Sequence, residues 1–152
     1  MPSLAPVSNV DVPELTDFLY EVDLTVSGLD SPTVHLWIER DANNAIIAST
    51  GFELSGDRRH ALIRSVAVTS SARSEGAGSQ LATFALDRAH EKGARTAWLF
   101  SRRSGPFWQK LGFKPADRDE LAQVLGDSYQ VRQFHESGQL NLEVAWSRDL
   151  PR

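Results

Sequence analysis

Apolar residues recur along this chain in two rhythms, and each change of rhythm marks an element. Leu15, Phe18, Leu19 and Val22 fall at helical spacing behind Asp11, Pro13 and Glu14. This predicts a helix over residues 12–22, capped by Asp11, with that apolar face against a core. Gly28 and Pro32 make 25–32 a loop. Residues 35–39, 45–54 and 61–69 are short runs rich in β-branched and aromatic side chains, parted by polar turns at 41–44 and 55–59. They read as a three-strand meander.

Helical rhythm returns at 79–92, where Leu81, Ala82, Ala85, Leu86 and Ala89 share a face and Gln80, Asp87, Arg88 and Glu91 lie off it. Gly93 supplies the stop. Residues 96–100 form another apolar strand, and a strand-helix-strand unit implies parallel or splayed pairing. A short helix at 105–111 has Ser104 or Gly105 as cap, Pro106 near its start and Gly112 as its end. Residues 114–119 read as a loop, 120–125 and 128–136 as helical pieces, and 140–148 as a last alternating strand.

The polar segment 70–78, Ser-Ser-Ala-Arg-Ser-Glu-Gly-Ala-Gly, runs from the third meander strand into the helix. Backbone N–H groups at a helix start, together with the helix dipole, favour phosphate. Gly76 and Gly78 would let its oxygens approach the main chain, and Arg73 adds a forked donor. The segment lacks the Gly-Lys-Ser/Thr ending of a P-loop. Leu81 stands where a dinucleotide fingerprint needs its third glycine.

Arg73-x-x-Gly76-x-Gly78 after Val66-Ala67-Val68, with Phe107-Trp-Gln-Lys-Leu-Gly-Phe113 downstream, resembles the GCN5-related N-acetyltransferase (GNAT) family. The run 101–113 followed by 117–121 is most similar to the acetyltransferase domain of N-acetylglutamate synthases and to small arsenic-resistance-associated acetyltransferases. The resemblance implies an α/β (α+β) fold, a mixed, mostly antiparallel sheet of six or seven strands with helices on both faces, split near Ala61. It implies one N-acetyltransferase domain over 1–152. The cosubstrate would be acetyl-CoA, with its pyrophosphate on Arg73, Ser74, Glu75, Gly76, Ala77, Gly78 and Ser79. Its pantetheine would lie along Val66, Ala67 and Val68, with Ser101, Phe107 and Trp108 packing near it. The N–H of Val66 or Val68 would donate to the thioester oxygen.

The acceptor implied is the amine of a small molecule, an amino acid or amino-acid-like compound. Glu53 is the expected general base, acting through a water, and is otherwise a solvated carboxylate or a partner for Arg64. Arg64, inside an apolar strand, needs a partner: Glu53, or a carboxylate of the acceptor. His60 is a second base candidate, and Asp23 and Asp30 could contact the amine. Two departures from the family pattern stand out. Trp108 occupies the position where many members have a tyrosine that protonates the leaving thiolate, and an indole N–H cannot do so. Water, Ser101, Ser104 or Tyr129 would take that part. Glu75 places a negative charge near the pyrophosphate site. The missing tyrosine keeps open an alternative, a catalytically impaired CoA-binding or regulatory module; a longer acyl donor is a further one.

Size and charge add exclusions. A chain of 152 residues and 16.8 kDa is large enough for one core of its own. With no cysteine, it has neither disulfides nor thiolate metal ligands, and no metal is expected. A net charge of −4 argues against nucleic acid. No apolar run approaches the ~20 residues of a membrane span, and residues 1–6 do not begin a signal peptide. A cytoplasmic monomer or homodimer is the expectation.

Overall fold

The computed structural model describes residues 4–22, 24, 26–69 and 76–150. In chain order they form β1 (Ala5–Pro6), α1 (Val12–Glu21), β2 (Val34–Arg40), β3 (Ile46–Leu54), β4 (His60–Val68), α2 (Ala77–Glu91), β5 (Thr96–Phe100), α3 (Gly105–Lys110), β6 (Lys114–Pro115), α4 (Arg118–Val124), α5 (Tyr129–Ser137) and β7 (Ala145–Asp149). The seven strands make one sheet in the order β1-β2-β3-β4-β5-β7-β6. Every pairing is antiparallel except β4 with β5.

Side-chain alternation along the strands builds a core on each face. Phe52, Leu54, Ala61, Ile63, Ala97 and Leu99 pack with Ala82, Ala85, Leu86 and Ala89 of α2 and Trp108 of α3. On the other face Leu15, Phe18 and Leu19 of α1 meet Val34, Leu36, Ile38 and Ile46. Leu62 and Trp98 on that face pack with Leu121, Leu125 and Val131 of the α4–α5 region. The expected mixed sheet with helices on both faces is therefore present, and all five apolar residues predicted for the α2 face are buried. Among the described residues no helix is long and apolar enough to cross a membrane.

Several boundaries differ from expectation. Asp11 does not cap α1 with its side chain. A 3-10 turn at Asn9–Asp11 precedes the helix, and the Asp11 carboxylate accepts from the Ser8 N–H and pairs with Arg40 at 2.9 Å. Val22 lies just past the end of α1 and is 39% exposed, outside the face it was assigned to. The loop at 114–119 contains β6 and the start of α4, whose N-cap Asp117 accepts from the Asp119 and Glu120 N–H groups. The last strand begins only at Ala145, because Gln139–Leu142 closes into a 3-10 turn. The alternation of Leu140, Leu142 and Val144 mimics a strand, but the β5–β7 ladder ends at Phe100 and Ala145.

Candidate active site

The site grows out of a failure of pairing in the middle of the sheet. His60, Ala61 and Leu62 of β4 face Thr96, Ala97 and Trp98 of β5, and no further pairs follow. Beyond that point the strands part. A cleft of about 500 Å³ opens between them, lined on the β4 side by residues 63–68 and on the other by Leu99, Phe100, Ser101, Ser104, Phe107 and Trp108.

On its other side β4 keeps β3, but with an offset. Ser49 faces Ala67 while Gly51 faces Arg64, so Thr50 stands opposite both Ser65 and Val66. The extra residue is a β-bulge, and Ser65 takes φ 62°, a left-handed conformation that a serine adopts at a cost. Two buried hydroxyls hold this region in place. Ser49 Oγ donates to the Ser65 carbonyl at 2.6 Å, and Thr50 Oγ1 donates to the Leu81 carbonyl in α2 at 2.7 Å. The second bond ties the first turns of α2 to the sheet directly beside the bulge.

Gly76 is the N-cap of α2, with φ +82°, and no atom of the described residues lies within 4 Å of where its Cβ would be. The first intrahelical bond runs from the Gln80 N–H to the Gly76 carbonyl, so the N–H groups of Ala77, Gly78 and Ser79 precede the ladder. Gly78 lines the cleft, and a Cβ there would meet Phe107 Cε1 at 3.3 Å. Phe107 and Trp108 meet edge to face at 4.9 Å, and Trp108 continues onto Phe113 at 5.4 Å. Phe107 is partly buried at the cleft wall, whereas Trp108 is 8% exposed and belongs to the core behind it. The Ser101 hydroxyl accepts from the Ser104 N–H at 3.1 Å, and the Ser101 carbonyl accepts from the Trp146 indole. Arg73, Ser74 and Glu75 lie outside the described residues, as does Asp23.

Glu53 and Arg64 form a pair inside the protein. Arg64 Nη1 lies 3.6 Å from Glu53 Oε1, and both side chains are essentially inaccessible. Arg64 lines the cleft; Glu53 does not, and sits behind it. The Glu53 carboxylate also accepts the Tyr129 N–H, at the start of α5, at 2.7 Å. Burial pushes the Glu53 carboxyl above its ordinary value, against the lowering pull of the α5 N–H groups and of Arg64. Burial likewise brings Arg64 down to about 10, with Glu53 opposing the shift.

The other expected residues fall into two groups. Ser101 and Ser104 line the cleft. His60 is at the paired end of β4, where its Nδ1 accepts the Trp98 indole N–H at 3.0 Å, and Asp30 is exposed outside the cleft. Tyr129 is also outside it, under the Arg132 guanidinium at 4.8 Å. Neither Ser65 nor Gln130 carries a local signal that marks it as a site residue. The bulge at Ser65 depends on pairing with a strand more than ten residues away, and a glutamine in the first turn of a helix reads as solvated.

Comparisons with known proteins agree with this architecture. The model of the acetyltransferase (GNAT) family matches residues 6–113. Among curated proteins no match was found. Among solved structures, N-acetylglutamate synthase from Neisseria gonorrhoeae, complexed with coenzyme A and N-acetyl-glutamate, superposes with a TM-score of 0.73 at 16% identity, covering 100% of this chain and 36% of that one. This chain thus spans about a third of the synthase. Rv2747 from Mycobacterium tuberculosis, in complex with CoA and NLQ, gives 0.74 at 14% identity over 99% of this chain and 100% of the other. A GNAT-family acetyltransferase from Staphylococcus aureus Mu50 gives 0.70 at 13% over 98% and 100%. With a family model matching most of its length and a sheet that splits beside a bulged strand, this chain belongs to the acetyltransferase (GNAT) family.

Proposed function

We propose that the protein moves the acetyl group of acetyl-CoA to the amine of a small molecule, an amino acid or amino-acid-like compound. The observation that carries this reading is the open half of β4. In its ladder with β3, alternate residues turn their N–H and C=O groups to the far side, where β5 no longer stands to receive them. An extended pantetheine arm fits such an edge as an added strand. Gly78 and Phe107 flank it, and the first N–H groups of α2 are at hand for the pyrophosphate. Arg73, Ser74 and Glu75 complete that cradle in the proposal.

Acyl transfer then needs an oxyanion donor, a neutral amine and an exit for the thiolate. The N–H of Val66 or Val68, next to the bulge, donates to the thioester oxygen as the amine nitrogen attacks the carbonyl carbon. Glu53, the carboxylate packed against the lining residue Arg64, takes the amine proton through a bridging water; burial, by raising its pKa, makes it a stronger base than an exposed carboxylate. The C–S bond breaks, and the thiolate leaves as an ion that water or a cleft hydroxyl, Ser101 or Ser104, protonates. Trp108 keeps the wall closed and carries no proton.

Arg64 is the one ionisable side chain among the described residues lining the cleft; the lining holds no carboxylate, and the partner of Arg64, Glu53, lies behind it. That favours an acceptor bearing its own negative charge over a polyamine. Release of CoA thiol from acetyl-CoA, followed with the twenty proteinogenic L-amino acids and spermidine, tests the proposal. Amine-dependent release, larger for an amino acid than for spermidine, is expected. Tight acetyl-CoA binding without turnover on any amine would replace the enzyme by a CoA-binding module.

A further inference from the structure

Gln130, in the first turn of α5, lines the cleft although its side chain belongs to a helix on the far face of the sheet. The residue is 9% exposed, and its amide oxygen Oε1 is shielded from solvent with no hydrogen-bond partner among the described residues. An amide carbonyl left in that state costs stability, so it stands out in a site where neighbouring hydroxyls such as Ser49 and Thr50 are bonded.

Its position is fixed from two sides. The Tyr129 N–H donates to Glu53, and the Gln130 N–H bears on the same carboxylate. From the other side Gly28, at φ +67°, presses the α1–β2 loop against Tyr129; a Cβ on Gly28 would lie 2.6 Å from the ring. No other residue type would fit that loop there. Val131 and Phe134 are buried below, with Phe134 edge to face on Phe100 at 5.2 Å. The backbone of Gln130 is thus held while the last torsion of its side chain, between sp³ and sp² carbons, remains soft. That torsion is the one that would have to turn to aim Oε1 at a ligand in the cleft.

Resting on the acetyl-transfer reading above, we infer that Gln130 is the contact for the acceptor amine. Its Oε1 accepts one N–H of a primary amine and thereby turns the nitrogen lone pair toward the thioester carbon. A neutral carbonyl does this for the incoming ammonium and for the neutral amine that attacks. Glu53, which holds the start of α5, is then also a positioning residue for this contact.

Gln130→Met keeps the side-chain length and removes the acceptor oxygen. Wild type and Q130M would be compared with acetyl-CoA and whichever amine of the panel above the wild type uses best. The expected result is a 10- to 100-fold loss in kcat/KM for the amine, acetyl-CoA Kd within twofold by calorimetry, and a Tm equal to or above wild type. A kcat/KM within twofold of wild type overturns the assignment, as does a lowered Tm or an equal loss of acetyl-CoA affinity, either of which marks a structural role. If the wild type itself turns over no amine, the transfer reading falls and this contact falls with it; an active wild type matched by Q130M removes the contact alone.

Discussion

The two ends of β4 show how one strand serves two purposes. At its start, Ala61 and Leu62 are paired on both sides, with β3 and with β5, and Trp98 donates across to His60. At its other end, Arg64 to Val68 have β3 alone, a bulge at Ser65 and a cleft where the second neighbour would be. The residue types are similar along the strand, and composition therefore does not separate the two ends. The difference lies in what each end asks of its backbone: the first spends its hydrogen bonds on two neighbours, while the second has one neighbour and, in the proposed function, keeps the rest for a ligand. An exposed strand edge invites association with other chains. Here the edge faces a cleft that Gly78 and Phe107 line, close against each other.

The largest expected effect falls where the open end is braced. Glu53→Leu removes the carboxyl from Arg64 and from the Tyr129 N–H at the start of α5, which should cost about 3–5 kcal/mol in urea unfolding. If Glu53 is also the base, the folded variant loses ~10²-fold or more in kcat. The double variant E53L/R64M separates these roles, recovering most of the stability and none of the activity. Recovery of both would remove Glu53 from the chemistry.

A pair of substitutions then tests the contrast directly. Leu62→Ala, at the paired end, empties part of the α4–α5 core and should cost ~3 kcal/mol with acetyl-CoA Kd unchanged in the folded protein. Gly78→Val pushes atoms toward Phe107 in the cleft wall. By calorimetry it should weaken acetyl-CoA by roughly 10- to 100-fold, about 1.4–2.7 kcal/mol, with a smaller change in stability. The reverse pattern would mean that the two ends have been assigned the wrong way round.

Smaller effects follow. Because burial raises the Glu53 pKa above its ordinary value of 4.5, between the two values the native state retains a proton that the unfolded chain has lost. Stability from this group is then fully present below that value and declines as pH rises through the folded pKa, with a slope of at most ~1.4 kcal/mol per pH unit. The difference between wild type and Glu53→Gln, measured across that window, should show this decline; a difference that grows with pH would contradict it. Least of all, His60→Phe leaves the Trp98 indole without its acceptor, at ~1 kcal/mol, and leaves kcat/KM unchanged. A large loss of activity would return His60 to the list of bases.

Much of this was legible in the chain where the signal was local. The α2 face followed from helical period and the parallel or splayed pairing of β4 with β5 from strand-helix-strand order, while the split near Ala61 came with the family resemblance. What escaped depended on contacts distant in sequence. β1 and β6 are two residues each, too short for any period to show. Leu140, Leu142 and Val144 alternate as a strand would, and only the length of β5 stops them from pairing. Glu53 could have been solvated or buried by sequence alone; its burial follows from α5 docking over β3 and β4, which brings residue 129 to it. Gln130 depends on the same docking.

The most direct test is amide hydrogen exchange, read residue by residue with and without acetyl-CoA. The cosubstrate is expected to slow exchange in the segment Val66 to Val68 and to leave Ala61 and Leu62, already paired on both sides, as they were. Unchanged exchange at Val66 to Val68 in protein saturated with acetyl-CoA would contradict it, since the ligand would then lie elsewhere than along the open half of β4.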